Sequence, residues 1–147
     1  APNCRIIFMS KILPEQLISF TDGGARGNPG PAGIGAVLTT LDGQTVGEWS
    51  EFLGSTTNNQ AEYRALLLAL KQAQALGVKE LECRLDSELV VKQLCGEYKV
   101  KHPELKPLYE MATTLAKGFA KIVFKHIPRA LNKRADELAN EAMDRGQ

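Results

Sequence analysis

Asp22 and Glu62 are carboxylates set within apolar patterns, and Asp86 and Asp136 stand at the edge of others, where a carboxylate could serve chemistry. Strand alternation puts Asp22 on the same face as Ile18 and Phe20, directly before a glycine-rich stretch. Glu62 heads a helical stripe in which Ala65, Leu66, Ala69, Ala73 and Leu76 follow at offsets of 3, 4, 7, 11 and 14. Asp86 ends the strand-like run Leu81 to Leu85, and Asp136 falls in the first turn of a helical pattern beside Ala135, Leu138, Ala139 and Ala142. Each also has an ordinary reading. Asp22 suits a turn, Asp86 suits a helix cap, and Glu62 and Asp136 suit a helix dipole.

Together the four share a feature, since each lies at the end of a strand or the start of a helix. In a sheet flanked by helices such ends can gather at one edge. Carboxylates that converge repel one another, and a hard divalent cation such as Mg2+ relieves the repulsion. Two such ions could clamp a scissile phosphate, one activating water and the other stabilising the leaving oxygen. The rest of the composition points away from other metal chemistry. Two histidines and the widely spaced Cys4, Cys83 and Cys95 give neither a zinc pattern nor a disulfide framework, and the cysteines read as reduced, partly buried small hydrophobes.

The elements that must position these groups follow from periodicity and punctuation. A strand is expected over Leu17 to Thr21, a Gly/Pro turn over Gly23 to Gly33, and strands near Ile34 to Thr40 and Val46 to Leu53 joined across Asp42-Gly43. A helix should run from about Asn59 to Leu76, with Thr57 and Gln60 as a capping box and Gly77 as its stop. Then come a strand over Leu81 to Leu85, a short helix over Ser87 to Leu94 ended by Gly96, and a helix from about Glu104 to Lys117 opened by Pro103. A strand over Ile122 to Ile127, interrupted by Pro128, and a helix over Asn132 to Met143 complete the chain. The order β-β-β-α-β-α-α-β-α implies an α/β fold. Three antiparallel strands and two parallel ones form a five-stranded mixed sheet flanked by helices.

The 147 residues suit one domain, expected over residues 15–147 behind an N-terminal extension of residues 1–14. With 18 Lys+Arg against 17 Asp+Glu, the formal net charge is +1, so a polyanionic partner must be held by local charge placement. The stretch Ala1 to Pro14 lacks a signal-peptide layout, and the apolar run Ala65 to Leu70 is too short for a bilayer. A monomeric protein of the cytoplasm, with no membrane partner, is the expectation.

Five segments, taken in order, carry a resemblance. Thr21-Asp22-Gly23-Gly24, Gly27 to Pro31, Thr57 to Glu62, Asp86-Ser87 and Asn132 to Ala139 are similar to the signature segments of type 1 ribonuclease H, from about Leu17 to the C-terminus. The resemblance implies the ribonuclease H-like fold and endonucleolytic hydrolysis of the RNA strand of RNA/DNA hybrids, leaving 5′-phosphate and 3′-hydroxyl ends. It carries the family's catalytic, metal-binding carboxylates onto Asp22, Glu62, Asp86 and Asp136, with two Mg2+ or Mn2+ ions as cofactors. It also carries a histidine that helps move protons or release product onto His126. Hybrid contacts near the minor groove fall on Asn28, Asn58 and Gln60, and a pocket for a DNA-strand phosphate falls on Thr57 and Asn58. For Asn28, Thr57, Asn58 and Gln60, turn and cap chemistry is the alternative.

Departures from the family pattern bear on substrate grip. Ser55 stands where many relatives carry arginine, Glu88 adds an acid after Asp86-Ser87, and the short segment Glu97 to Lys106 offers only Lys99, Lys101, His102 and Lys106 in place of a basic protrusion. An ordinary active centre with a lighter hold on the hybrid is expected. The alternatives are a nuclease that also cuts double-stranded RNA or RNA-DNA junctions, and a non-catalytic nucleic-acid-binding module of the same fold.

Overall fold

The computed structural model describes residues 15–147. Its elements, in chain order, are β1 (Gln16–Ala25), β2 (Gly30–Thr39), β3 (Thr45–Thr56), α1 (Asn58–Ala75), β4 (Glu80–Leu85), α2 (Glu88–Leu94), α3 (Lys106–Ala116), β5 (Lys121–His126), a 3-10 turn (Arg129–Leu131) and α4 (Lys133–Arg145). The five strands form one sheet in the order β3-β2-β1-β4-β5. β1 pairs antiparallel with β2, and β2 with β3. β1 and β4, and β4 and β5, run parallel. The expected order and the mixed sheet are both present.

The alternation along β2 explains why helices cover both faces. Ala32, Ile34 and Leu38 are buried on one face, the first two packing with Ala61 and Ala65 of α1 and Leu38 joining the main core. That core unites Leu66 and Leu70 of α1, Leu81, Cys83 and Leu85 of β4, Val90 of α2 and Ala112 of α3. Each leucine buried there contributes about 1.5–3 kcal/mol. The alternate residues Gly33 and Gly35 face α4, where side chains would not fit. A Cβ at Gly35 would lie 2.2 Å from the Ala135 carbonyl oxygen, so the helix backbone rests directly on the sheet. Ser50 of β3 donates to the Leu138 carbonyl at 2.6 Å, and Arg134 grips Glu48 through two hydrogen bonds of 2.8 and 3.0 Å.

Several sequence expectations need correction. The stretch expected to be a turn, Gly23 to Gly33, is mostly strand. β1 continues to Ala25 and β2 begins at Gly30, because the register from Asp22↔Gly35 to Ala25↔Ala32 satisfies the backbone whatever the local propensity of glycine. The third helix starts at Lys106 rather than Glu104, with Pro107 in its first turn in place of Pro103. The 3-10 turn after Pro128 was not anticipated. Cys83 is buried as expected, but Cys95 is exposed. Cys4 and the extension of residues 1–14 lie outside the described residues. Among the described residues no helix is long and apolar enough to cross a membrane.

Candidate active site

Parallel pairing places the first two carboxylates side by side. Thr21 of β1 stands opposite Leu85 of β4, so the next residue on each strand, Asp22 and Asp86, emerges at the same edge of the sheet. Glu62 arrives from α1, which the capping box starts at a fixed point. The Thr57 hydroxyl accepts from the Gln60 backbone N–H at 3.2 Å, and the Gln60 side chain accepts from the Thr57 N–H at 3.4 Å. Gly23 then lets the helix backbone settle against β1, one residue from Asp22. One oxygen from each of Asp22, Glu62 and Asp86 lies within 4.8 Å of the others.

Asp136 comes from α4, whose entry is fixed by buried Asn132. The Asn132 amide donates to the Thr21 carbonyl at 2.8 Å, tying the helix start to the residue before Asp22. All four carboxylates line one cleft of about 520 Å3, together with Gly24, Asn58, Ser87 and Asn140 among others.

The electrostatics of this cleft are strained without a cation. Burial pushes the Asp22 carboxyl up from 3.8 to about 7, with the Asp86 charge adding to the effect and a hydrogen bond to Asp136 acting the same way. Burial, and then the charges of Asp22 and Asp86, push Glu62 well above the usual carboxylate range, while the Gly23 backbone N–H opposes the shift. The Glu62 Oε2 atom is buried and has no hydrogen-bond partner among the described residues. Clustered acidic oxygens with one left over fit a hard divalent cation, which would relieve both repulsion and desolvation.

The remaining predicted residues are placed less uniformly. Asn58 lines the same cleft, and its side-chain oxygen accepts from the Ala25 N–H at 2.7 Å. The Asn28 oxygen accepts from the Asn58 N–H at 3.1 Å. Each spends its carbonyl on the backbone, so what the amide presents to a ligand is its N–H donors. Asn28 and Thr57 line a neighbouring cavity. Gln60 sits in the capping box and donates to Glu104 at 3.2 Å. His126 is exposed at the end of β5, in register with Leu85, and is not among the residues lining the carboxylate cleft. Glu88 pairs with Lys92 at 3.4 Å and does not line the cleft either.

Sequence reasoning missed Arg129. It lines the cleft, and its guanidinium lies 3.4 Å from Asp136. The cleft's other lining cation, Arg26, is engaged by Asp144 at 2.7 Å. The signal available was Pro128 followed by a basic residue seven positions before Asp136. Without the 3-10 turn, nothing in that spacing directs Arg129 inward.

Comparison with known proteins adds independent observations. A family model described as reverse transcriptase-like matches residues 20–142. The ribonuclease HI of Halobacterium salinarum is 48% identical over 126 residues, which cover 86% of this chain and 63% of that protein. The chain belongs to the ribonuclease H family.

A second relative, a bifunctional protein of Mycobacterium tuberculosis, is 52% identical over 130 residues, or 88% of this chain and 36% of its own length. The chain thus spans between roughly a third and two thirds of these two curated relatives. The solved structure of LC11-RNase H1 in complex with an RNA/DNA hybrid matches with a TM-score of 0.84 at 51% identity, covering 88% of this chain and 97% of that one. Four of the five segments similar to the ribonuclease H signature motifs contribute residues to the cleft: Thr21 to Gly24, Thr57 to Glu62, Asp86-Ser87 and Asn132 to Ala139; Gly27 to Pro31 does not line it.

Proposed function

We propose that this chain, with residues 15–147 as its catalytic domain, hydrolyses the RNA strand of RNA/DNA hybrids endonucleolytically and leaves 5′-phosphate and 3′-hydroxyl ends. The observation that carries this is the convergence of Asp22, Glu62 and Asp86, one oxygen of each within 4.8 Å of the others, with Glu62 Oε2 buried and without a hydrogen-bond partner among the described residues. A pure binding module would gain nothing from concentrating negative charge where a phosphate must approach.

Asp22, Glu62, Asp86 and Asp136 would hold two divalent ions, Mg2+ with Mn2+ as the alternative. Bound there, such ions supply Lewis-acid polarisation of the phosphate and a water of lowered pKa. The chain's own groups orient the substrate. Asn28, Asn58 and Gln60 offer amide groups to the minor groove, where the RNA 2′-hydroxyl can both donate and accept. Thr57 serves a phosphate of the DNA strand. His126, at the rim of the sheet, is the group for proton movement or product release, and Arg129 balances charge inside the cleft. The protein acts as a monomer in the cytoplasm.

Incubation with matched RNA/DNA hybrid, double-stranded RNA, double-stranded DNA and single-stranded RNA, each with Mg2+, Mn2+ or chelator, tests the reading. Metal-dependent cleavage of RNA in the hybrid alone is expected. Cleavage of double-stranded RNA at a comparable rate would point to a broader nuclease. Binding with no cleavage in any metal would overturn the enzymatic assignment.

A further inference from the structure

A cavity of about 180 Å3 is lined by Asn28, Thr57, Asn59, His102, Glu104 and Leu105. Apart from Glu104, its polar lining is a hydroxyl, two amides and an imidazole, all able to donate hydrogen bonds to an anion. Thr57 and Asn59 belong to the N-terminal end of α1, where the aligned peptide dipoles favour an anion. The first turn of α1 contains no acidic residue, although helices gain from one there.

Glu104 supplies that missing anion from a distant part of the chain. Its Oε2 accepts from the side-chain amide of Gln60, the third residue of α1, at 3.2 Å. The same oxygen lies 4.0 Å from His102 Nδ1. Leu105, buried at 5% exposure, anchors the chain immediately after it. A carboxylate therefore sits beside donors suited to a phosphate, and it occupies the amide of a residue expected to meet the substrate.

We infer that Glu104 is an affinity brake on the hybrid. This rests on the proposed hybrid nuclease activity, with Thr57 serving a DNA-strand phosphate. For the phosphate to enter, Glu104 must release Gln60 and withdraw its charge, so both the displaced hydrogen bond and carboxylate–phosphate repulsion weaken binding. Neither effect reaches the carboxylates around Asp22, so the brake acts on binding and leaves the chemical step alone. Glu104 is more than half exposed, which makes the effect modest and sensitive to salt.

Two variants and a control test it. Glu104→Gln removes the charge, Glu104→Ala removes charge and hydrogen bond together, and Glu97→Gln removes a charge from an exposed position of the same connection outside the cavity. Steady-state cleavage of a hybrid with Mg2+ gives kcat and KM, and fluorescence anisotropy of a labelled hybrid in chelator gives Kd without chemistry, each at low and high salt. Both Glu104 variants should lower KM and Kd about threefold to tenfold at low salt, with kcat unchanged and a smaller gain at high salt, while Glu97→Gln shifts either by less than about twofold. Unchanged or weaker binding in the Glu104 variants, an equal gain from Glu97→Gln, or a fall in kcat would overturn the brake. A wild type that cleaves no hybrid defeats the functional reading, yet the anisotropy series still decides the brake. Absence of hybrid binding by every protein in that series counts against it.

Discussion

The backbone of Ala61 lies so close to Gly23 that a Cβ built on the glycine would stand 2.3 Å from the Ala61 carbonyl carbon and oxygen. This contact sets the distance between β1 and α1 one residue after Asp22 and one before Glu62, so the spacing of those two carboxylates depends on a missing methyl group.

Gly23→Ala should therefore push α1 away from the sheet. Overpacking of this kind costs about 1–3 kcal/mol, read from the midpoint of denaturant unfolding. The activity loss should exceed what the lost stability explains. A variant that is destabilised yet fully active at a temperature where it remains folded would show that the Asp22 to Glu62 spacing tolerates the shift.

Asn132 tests the other wall of the cleft. It is almost wholly buried, and its amide donates to the Thr21 carbonyl. Asn132→Ala strands that carbonyl, at a cost of about 1–3 kcal/mol, and frees the start of α4. Hybrid cleavage should fall because Asp136 is no longer fixed relative to Asp22. Unaltered stability by thermal melting would mean that the bond is replaced, for instance by solvent.

These two positions also show where legibility in sequence ends. Asp22 and Glu62 stood out because charge interrupts an apolar face, and the capping box at Thr57 and Gln60 was readable because its partners are three residues apart. Gly23 and Gly33 read as turn residues because glycine's local preference gives no hint that a helix backbone will lie against it. Their strand state is imposed by pairing across β1 and β2, and their purpose by α1 and α4, which are remote in sequence. Arg129 was hidden for a similar reason, since the 3-10 turn that directs it is set by how β5 joins α4.

The raised Asp22 carboxyl predicts a pH dependence with a definite sign. A carboxyl at about 7 in the folded state against 3.8 in the unfolded state favours folding fully below pH 3.8, and that contribution is lost as pH rises through 7. Metal-free protein should thus be less stable at pH 8 than at pH 5 by on the order of a few kcal/mol from this group. A bound divalent cation replaces the proton, so the Tm gain on adding Mg2+ should be small at pH 5 and large at pH 8. Thermal melts in chelator and in Mg2+ across that range check it, and a Tm gain independent of pH would contradict it.

Arg129 separates stability from activity. Its side chain is 80% exposed beside Asp136, so Arg129→Ala should change stability by less than about 1 kcal/mol. Because it lines the cleft, the same variant should lower the hybrid cleavage rate at least about tenfold, as loss of a charge-stabilising group does. Equal activity of variant and wild type would remove Arg129 from the reacting centre.

The most direct measurement takes Asp22→Asn and Asp86→Asn, checks their fold by circular dichroism, and compares Mg2+-dependent cleavage of an RNA/DNA hybrid and Mg2+ binding by calorimetry with wild type. Loss of cleavage by at least about a thousandfold and weakened Mg2+ binding, with the fold retained, is the predicted result. Near-normal cleavage by either folded variant would contradict the assignment of that carboxylate to a metal-dependent active site.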